Sequence, residues 1–143
     1  MAELFSGHSE HTLDAKGRVI VPAKYRSFFA DGAHLGIGTN HALALWTHDA
    51  WERKANAMLE LMESGEPGAE EEAQYWAANM EDVTVDASTG RLLVPPYMRT
   101  HADLEPGQPV RLVGALSHIA IWNPTRYAER IEVMSSKFSK DAQ

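Results

Sequence analysis

Short apolar runs recur along the chain with strand-like spacing. Residues 18–21 form a β-branched run ended by Pro22, which cannot donate to a strand ladder. Residues 41–46 have the apolar character of a buried strand. Residues 110–113 and 118–122 flank Gly114-Ala115-Leu116-Ser117 and predict a hairpin. Residues 23–29 predict about two helical turns beginning beside Pro22.

Helical spacing appears in three places. Asp49 is a candidate N-cap, with Glu52 three residues on as its capping-box partner. Trp51, Ala55, Met58, Leu59 and Met62 then share one face. Gly65-Glu66-Pro67-Gly68 breaks that helix. A second helix is predicted over 69–80, with Tyr75, Trp76 and Met80 on one side and the glutamates on the other, solvated side. Asn123-Pro124 starts a third, Asn as cap and Pro at the first helical position. It runs over 126–138, and the last residues are expected to fray.

The pattern repeats. Gly17-Arg18-Val19-Ile20-Val21-Pro22-Ala23-Lys24-Tyr25-Arg26 matches Gly90-Arg91-Leu92-Leu93-Val94-Pro95-Pro96-Tyr97-Met98-Arg99 at five of ten positions, at an offset of 73. Leu43-Ala44-Leu45-Trp46 matches Ile119-Ala120-Ile121-Trp122 at an offset of 76. Three residues of loop inserted between the motifs explain the drift. Each half therefore reads as turn, strand, short helix, loop, strand, helix.

Composition narrows the function. At 143 residues the chain can bury a real core without staples. It has no cysteine, so a disulfide framework, a thiol nucleophile and a Cys-based zinc site are excluded. The opening MAELFSGHSEH has no basic region followed by an apolar run, and no stretch has the length of a membrane helix. A cytoplasmic protein is the expectation. The net charge of −7 argues at first against a nucleic-acid partner. Yet residues 60–82 carry eight acids and no base, more than the whole net charge, so the rest of the chain is close to neutral. The placement of the bases matters more than their sum.

Phe5-Ser6-Gly7 followed by His11-Thr12-Leu13-Asp14-Ala15-Lys16-Gly17-Arg18-Val19-Ile20-Val21-Pro22-Ala23-Lys24-Tyr25-Arg26 closely resembles the opening of MraZ proteins. The D-x-x-G-R core followed by three apolar residues and proline also resembles AbrB-like (SpoVT-AbrB) DNA-binding modules. The tandem arrangement, the length and the acidic connector resemble MraZ over nearly the whole chain. The resemblance implies an α+β fold: a tandem pseudo-repeat of AbrB-like swapped-hairpin β-barrel motifs with flanking helices, assembled into a ring oligomer. It places a first copy at 8–53, an acidic helical connector at 54–80, a second copy at 82–125, and a C-terminal helix and tail at 126–143. It implies a nucleoid-associated transcription regulator, in the usual case a repressor. The target would be short direct repeats in the promoter of the division and cell-wall gene cluster, including its own gene. A functional antagonism with the rRNA methyltransferase RsmH belongs to the same picture. One departure stands out: Asp14 lies four residues before Arg18, whereas Ala87 holds the matching place in the second copy and Asp86 lies five before Arg91. Either Asp86 reaches across a longer turn, or that turn is held differently.

Cations meeting phosphates supply DNA affinity, and side chains reaching base edges supply specificity. Arg18 and Arg91 follow directly on turns and are the candidate base readers; their alternative is pairing with Asp14 and Asp86 inside the fold. Lys16 and Lys24 add charge near the first turn alone. Arg26 and Arg99 are candidate backbone contacts, with a surface or inter-subunit salt bridge equally open. Asp14, Gly17, Asp86 and Gly90 are the turn-supporting residues. Linked copies on direct repeats would gain by effective concentration. No catalytic or metal constellation is recognised: the seven histidines show no metal-ligand spacing, and there is no phosphate loop, dinucleotide fingerprint or nucleophile elbow. No cofactor is expected. The competing class is an AbrB-fold protein-interaction module. An antitoxin of that kind blocks its toxin with a disordered tail, whereas this chain has a second folded copy.

Overall fold

The computed structural model describes residues 3–141. Its fold is mixed α+β. The strands are β1 (His8–Thr12), β2 (Arg18–Ile20), β3 (Ala33–Ile37), β4 (Leu43–Thr47), β5 (Met80–Val83), β6 (Arg91–Leu93), β7 (Pro109–Gly114) and β8 (Ile119–Trp122). The helices are α1 (Ala23–Arg26), α2 (His48–Glu63), α3 (Ala69–Ala78), α4 (Pro96–Ala102) and α5 (Pro124–Asp141).

The strands form a six-stranded sheet in the order β1-β7-β8-β4-β3-β5 and a separate ribbon of β2 with β6, with every pairing antiparallel. Exchange of the two halves (β1 with β5, β2 with β6, β3 with β7, β4 with β8) reverses the order of the large sheet and leaves it unchanged. The outer strands are swapped: β1 of the first half pairs with β7 of the second, and β5 of the second with β3 of the first. One core results. Phe5, Leu13, Val19, Leu35, Leu45, Leu92, Val94, Met98, Leu112 and Ile121 are buried in a single cluster drawn from both halves. Each half places its apolar strands against the other, so neither can bury its core alone.

Pro22 and Pro95 end β2 and β6 and open α1 and α4 without a side-chain cap. Asn123 caps α5, its Oδ1 accepting from the Thr125 and Arg126 amides at 2.9 and 3.1 Å, and Pro124 is the first helical residue. The hairpin of β7 and β8 closes over residues 115–118, and α5 continues through Asp141, beyond residue 138.

Three expectations are corrected. The cap of α2 is Thr47, whose Oγ1 accepts from the Ala50 amide at 3.2 Å. β4 runs into α2 with no intervening loop, so the last strand residue takes the cap. Asp49 falls inside the first turn, and Glu52 faces His48 at 3.4 Å rather than closing a capping box. Leu59 is exposed, and the buried residues of α2 are Ala50 and Met58. In α3 the small residues Ala69 and Ala73 are buried, Tyr75 is exposed, and Met80 begins β5 rather than ending the helix.

Candidate nucleic-acid interface

The β2–β6 ribbon brings the two repeated turns together. Arg18 pairs with Leu93, Val19 with Leu92, and Ile20 with Arg91. Side chains alternate across a strand, so these pairs separate into two faces. Val19 and Leu92 point inward and are fully buried. Arg18, Ile20, Arg91 and Leu93 form the outer face. The antiparallel pairing sets the arginines at opposite ends of it, two residues or about 7 Å apart along the strands.

The first turn is tight. Asp14 N–H donates to Arg18 O at 2.9 Å, and Gly17 N–H donates to Asp14 O at 3.0 Å. The Asp14 carboxylate accepts from the Lys16 and Arg18 amides, both at 2.9 Å, and from Arg18 Nε at 2.7 Å. Led by the Arg18 amide, these bonds hold the Asp14 carboxyl below the usual carboxylate range. The ion pair uses Nε alone and leaves the terminal guanidinium nitrogens available.

The second turn is one residue longer and resolves the displaced acid. Asp86 N–H donates to Arg91 O at 3.1 Å, so Asp86 occupies the backbone place of Asp14. Its carboxylate turns to the loop instead, accepting from Ser88 N–H (2.9 Å), Ser88 Oγ (2.8 Å) and Thr89 N–H (2.8 Å). The Thr89 amide leads in lowering its pKa, followed by the Ser88 hydroxyl. Arg91 is exposed and has no side-chain hydrogen bond or ion pair among the described residues. The two arginines thus differ: Arg18 is braced, Arg91 is not.

Arg26 and Arg99 lie crosswise. Arg26 donates from Nε to Val21 O at 3.0 Å and from a terminal nitrogen to Ser88 O at 3.1 Å, which bridges the first half to the turn of the second. Its guanidinium covers Gly90, and that of Arg99 covers Gly17. The backbone is crossed as well: Val21 N–H donates to Gly90 O at 2.8 Å and Val94 N–H to Gly17 O at 2.9 Å. Arg99 Nε is buried and has no partner among the described residues. No salt bridge of Arg26 or Arg99 appears among the described residues. Lys16 is exposed at the tip of the first turn, and Lys24 lies 4.8 Å from the Tyr25 ring centre.

Residues 4–67 match the family described as "MraZ protein, putative antitoxin-like". The chain is 32% identical over 124 residues to a protein of Lachnoclostridium phytofermentans named transcriptional regulator MraZ, covering 87% of this chain and 84% of that one. A protein of the same name from Thermomicrobium roseum is 31% identical over 140 residues, covering 98% and 96%. The chain belongs to the MraZ family. A third MraZ protein, from Thermus thermophilus, is 30% identical over 135 residues, covering 92% and 90%. The stretch matched to the MraZ family holds Asp14, Lys16, Gly17, Arg18, Lys24 and Arg26. Asp86, Gly90, Arg91 and Arg99 lie beyond it, within the span of these MraZ relatives.

Two further pairs belong to the site beyond the residues that the repeat marks: Ser88 and Thr89, which hold Asp86, and Ile20 and Leu93 on the outer face. The period-two spacing of Arg18 with Ile20 and of Arg91 with Leu93 is the signal for the second pair. Among the described residues no group of three or more His, Asp or Glu side chains is placed to hold a metal ion. No described helix is long and apolar enough to cross a membrane.

Proposed function

We propose that this chain is a DNA-binding transcriptional regulator that lays the outer face of its β2–β6 ribbon in the major groove. The observation that carries this reading is the pairing of two turn-borne arginines, Arg18 and Arg91, on one outward face, in a chain whose MraZ relatives are named transcriptional regulators. A two-stranded ribbon fits the major groove, and arginine can pair with guanine O6 and N7. Lys16 and Lys24 supply phosphate contacts beside the first turn. Arg26 and Arg99 contribute by holding the turns across the repeat. Asp14, Gly17, Asp86 and Gly90 set the turn geometry from which Arg18 and Arg91 project.

The finer picture rests on the MraZ resemblance. The units are two AbrB-like swapped-hairpin copies at 8–53 and 82–125, joined by the connector 54–80 and followed by the segment 126–143. The symmetric strand order of the large sheet supports two related copies. Several copies assemble into a ring. Exposed Ile131, Val133, Met134 and Phe138 on α5 support self-association. The ring binds direct repeats upstream of division and cell-wall genes, its own included, and represses them in the cytoplasm, on the nucleoid. The functional link to RsmH belongs to this proposal. No catalytic step is assigned.

The second reading is a protein-interaction module, which the words "antitoxin-like" in the family description bring forward. The integration of the second half into one core speaks against inhibition by a free tail. Fluorescence anisotropy with a duplex copied from upstream of the protein's own gene separates the readings. It is run over several salt concentrations with wild type and Arg18→Ala/Arg91→Ala. Regulation through the ribbon predicts tight, salt-sensitive binding that the double change abolishes while the assembly stays intact. No binding by intact wild type, to this duplex or a scrambled one, transfers the assignment to protein interaction.

A further inference from the structure

The outer face of the ribbon carries more than its arginines. Ile20 is 45% exposed and Leu93 is 56% exposed, although both lie on strands whose other side is fully buried. Each stands directly across the ribbon from an arginine, Ile20 from Arg91 and Leu93 from Arg18. The face is therefore a checker of two cations and two branched apolar groups. Simple solubility gives no reason for this. A polar residue would satisfy an exposed strand position as well, and large apolar groups in water gain nothing until something covers them. The occupant must be polyanionic enough to suit Arg18, Arg91 and Lys16, and must also offer apolar groups between its polar edges.

The major groove of DNA has this composition. Thymine presents its C5-methyl there beside an acceptor oxygen, and guanine presents the two acceptors that suit arginine. We propose that Ile20 and Leu93 receive thymine methyl groups, so that the ribbon reads thymines next to the guanines met by the arginines. The inference rests on the DNA-binding reading and adds a specificity that charge alone cannot give. The neighbouring pairs place each apolar side chain beside an arginine of the other half. One ribbon thus reads guanine and thymine twice, once at each end.

Deoxyuridine tests this, because it removes the thymine methyl and keeps the base pair. A duplex from upstream of the protein's own gene is substituted one thymine at a time. Each version is titrated with wild type, Ile20→Ser and Leu93→Ser, and the mass of the protein assembly is checked in parallel. Wild type is expected to lose about fourfold in affinity at specific thymines, the change that uncovering one methyl-sized group produces. At the matching thymine, the serine variant is expected to bind the thymine and deoxyuridine duplexes equally. Wild-type binding indifferent to every substitution overturns the proposal and leaves DNA binding standing. Serine variants that keep the full thymine preference also overturn it. So does a fall in assembly mass on serine substitution, because the pair then belongs to a contact between copies. Failure of wild type to bind any duplex overturns the DNA reading itself.

Discussion

Arg99 lies across Gly17: a methyl group built on that glycine would stand 2.8 Å from the guanidinium carbon, at a backbone φ of +80°. The counterpart is Arg26 over Gly90, where the guanidinium carbon would also be 2.8 Å away and Val21 O only 2.5 Å. Each half thus clamps the turn that aims the other half's arginine. Gly17→Ala and Gly90→Ala are expected to destabilise the fold by on the order of 1–3 kcal/mol through the left-handed backbone alone. Gly90→Ala is expected to be the worse, because a backbone oxygen cannot swing away as a side chain can. Chemical denaturation measures both. Unchanged midpoints would show that the crossed clamp does not hold the turns.

The two acids hold their turns differently, and acid should reveal it. The carboxyls of Asp14 and Asp86 are both lowered from an ordinary value of 3.8. A depressed folded-state pKa gives stability that is present above the unfolded value and lost as pH falls below it. Asp86→Asn should therefore be less stable than wild type at pH 7, and the gap should narrow progressively as pH falls below about 4, where the unfolded chain takes up a proton that the native carboxylate does not. Asp14→Asn should also impair DNA binding, because it releases the brace on Arg18. Asp86→Asn should spare the side chain of Arg91. Equal effects of the two changes on affinity would contradict the asymmetry of the turns.

Base reading and phosphate contact should separate in the salt dependence. Arg18→Ala and Arg91→Ala are each expected to cost roughly 1–3 kcal/mol of discrimination, or about fivefold to 150-fold, and to relax preference at one position. Lysine at either position should restore little, because it lacks the planar fork. Lys16→Ala should weaken all duplexes alike and lower the logarithmic salt slope by about one. A lysine variant that binds and discriminates as wild type does would reduce the arginines to simple charge.

A pair of histidines away from the ribbon gives a separate pH dependence. His34 is buried on β3, stacks on Trp51 at 4.2 Å, faces Asp82 from β5 at 2.9 Å and His48 from α2 at 3.1 Å. His48 in turn faces Glu52 at 3.4 Å. One nitrogen of the His34–His48 contact must accept, so the contact is lost if both nitrogens of both rings are protonated. Burial pushes the His34 pKa down from 6.5, and the Asp82 carboxylate offsets this only in part. The folded state therefore favours neutral His34, and its contribution is present above pH 6.5 and declines as pH falls below it. Wild type should lose stability between about pH 7 and pH 5, and His34→Gln should lose less over that interval. Parallel curves would remove the pair as the source.

Much of the repeat was legible in the sequence because two Gly-Arg turns, two prolines and two apolar strands recur at nearly fixed offsets. The strands β1, β3 and β5 were not. β1 is His-Ser-Glu-His-Thr, without an apolar residue, and exists because it adds an edge to β7. β5 is likewise an edge, with two acids at its centre. β3 was within reach, since the offset of 76 lays residues 33–37 on the β7 residues 109–113, but His34 and Gly36 dilute its pattern. The exchange of strands between halves is a long-range choice that no local window carries. The site was half legible. Its arginines and glycines stood out, while the crossed placement of Arg26 and Arg99 depends on tertiary contacts.

The absence of cysteine permits a direct test of where DNA lies. Single cysteines are placed at exposed Ala15 and exposed Ala87, one in each turn, and at exposed Leu59 on α2 as a distant control. Each carries a DNA-cleaving iron chelate, and the cut positions are mapped on the bound upstream duplex. Strong, localised cutting is expected from positions 15 and 87 and little from 59. Cutting from position 59 with none from either turn would place the DNA away from the β2–β6 ribbon and contradict its role as the DNA-binding face.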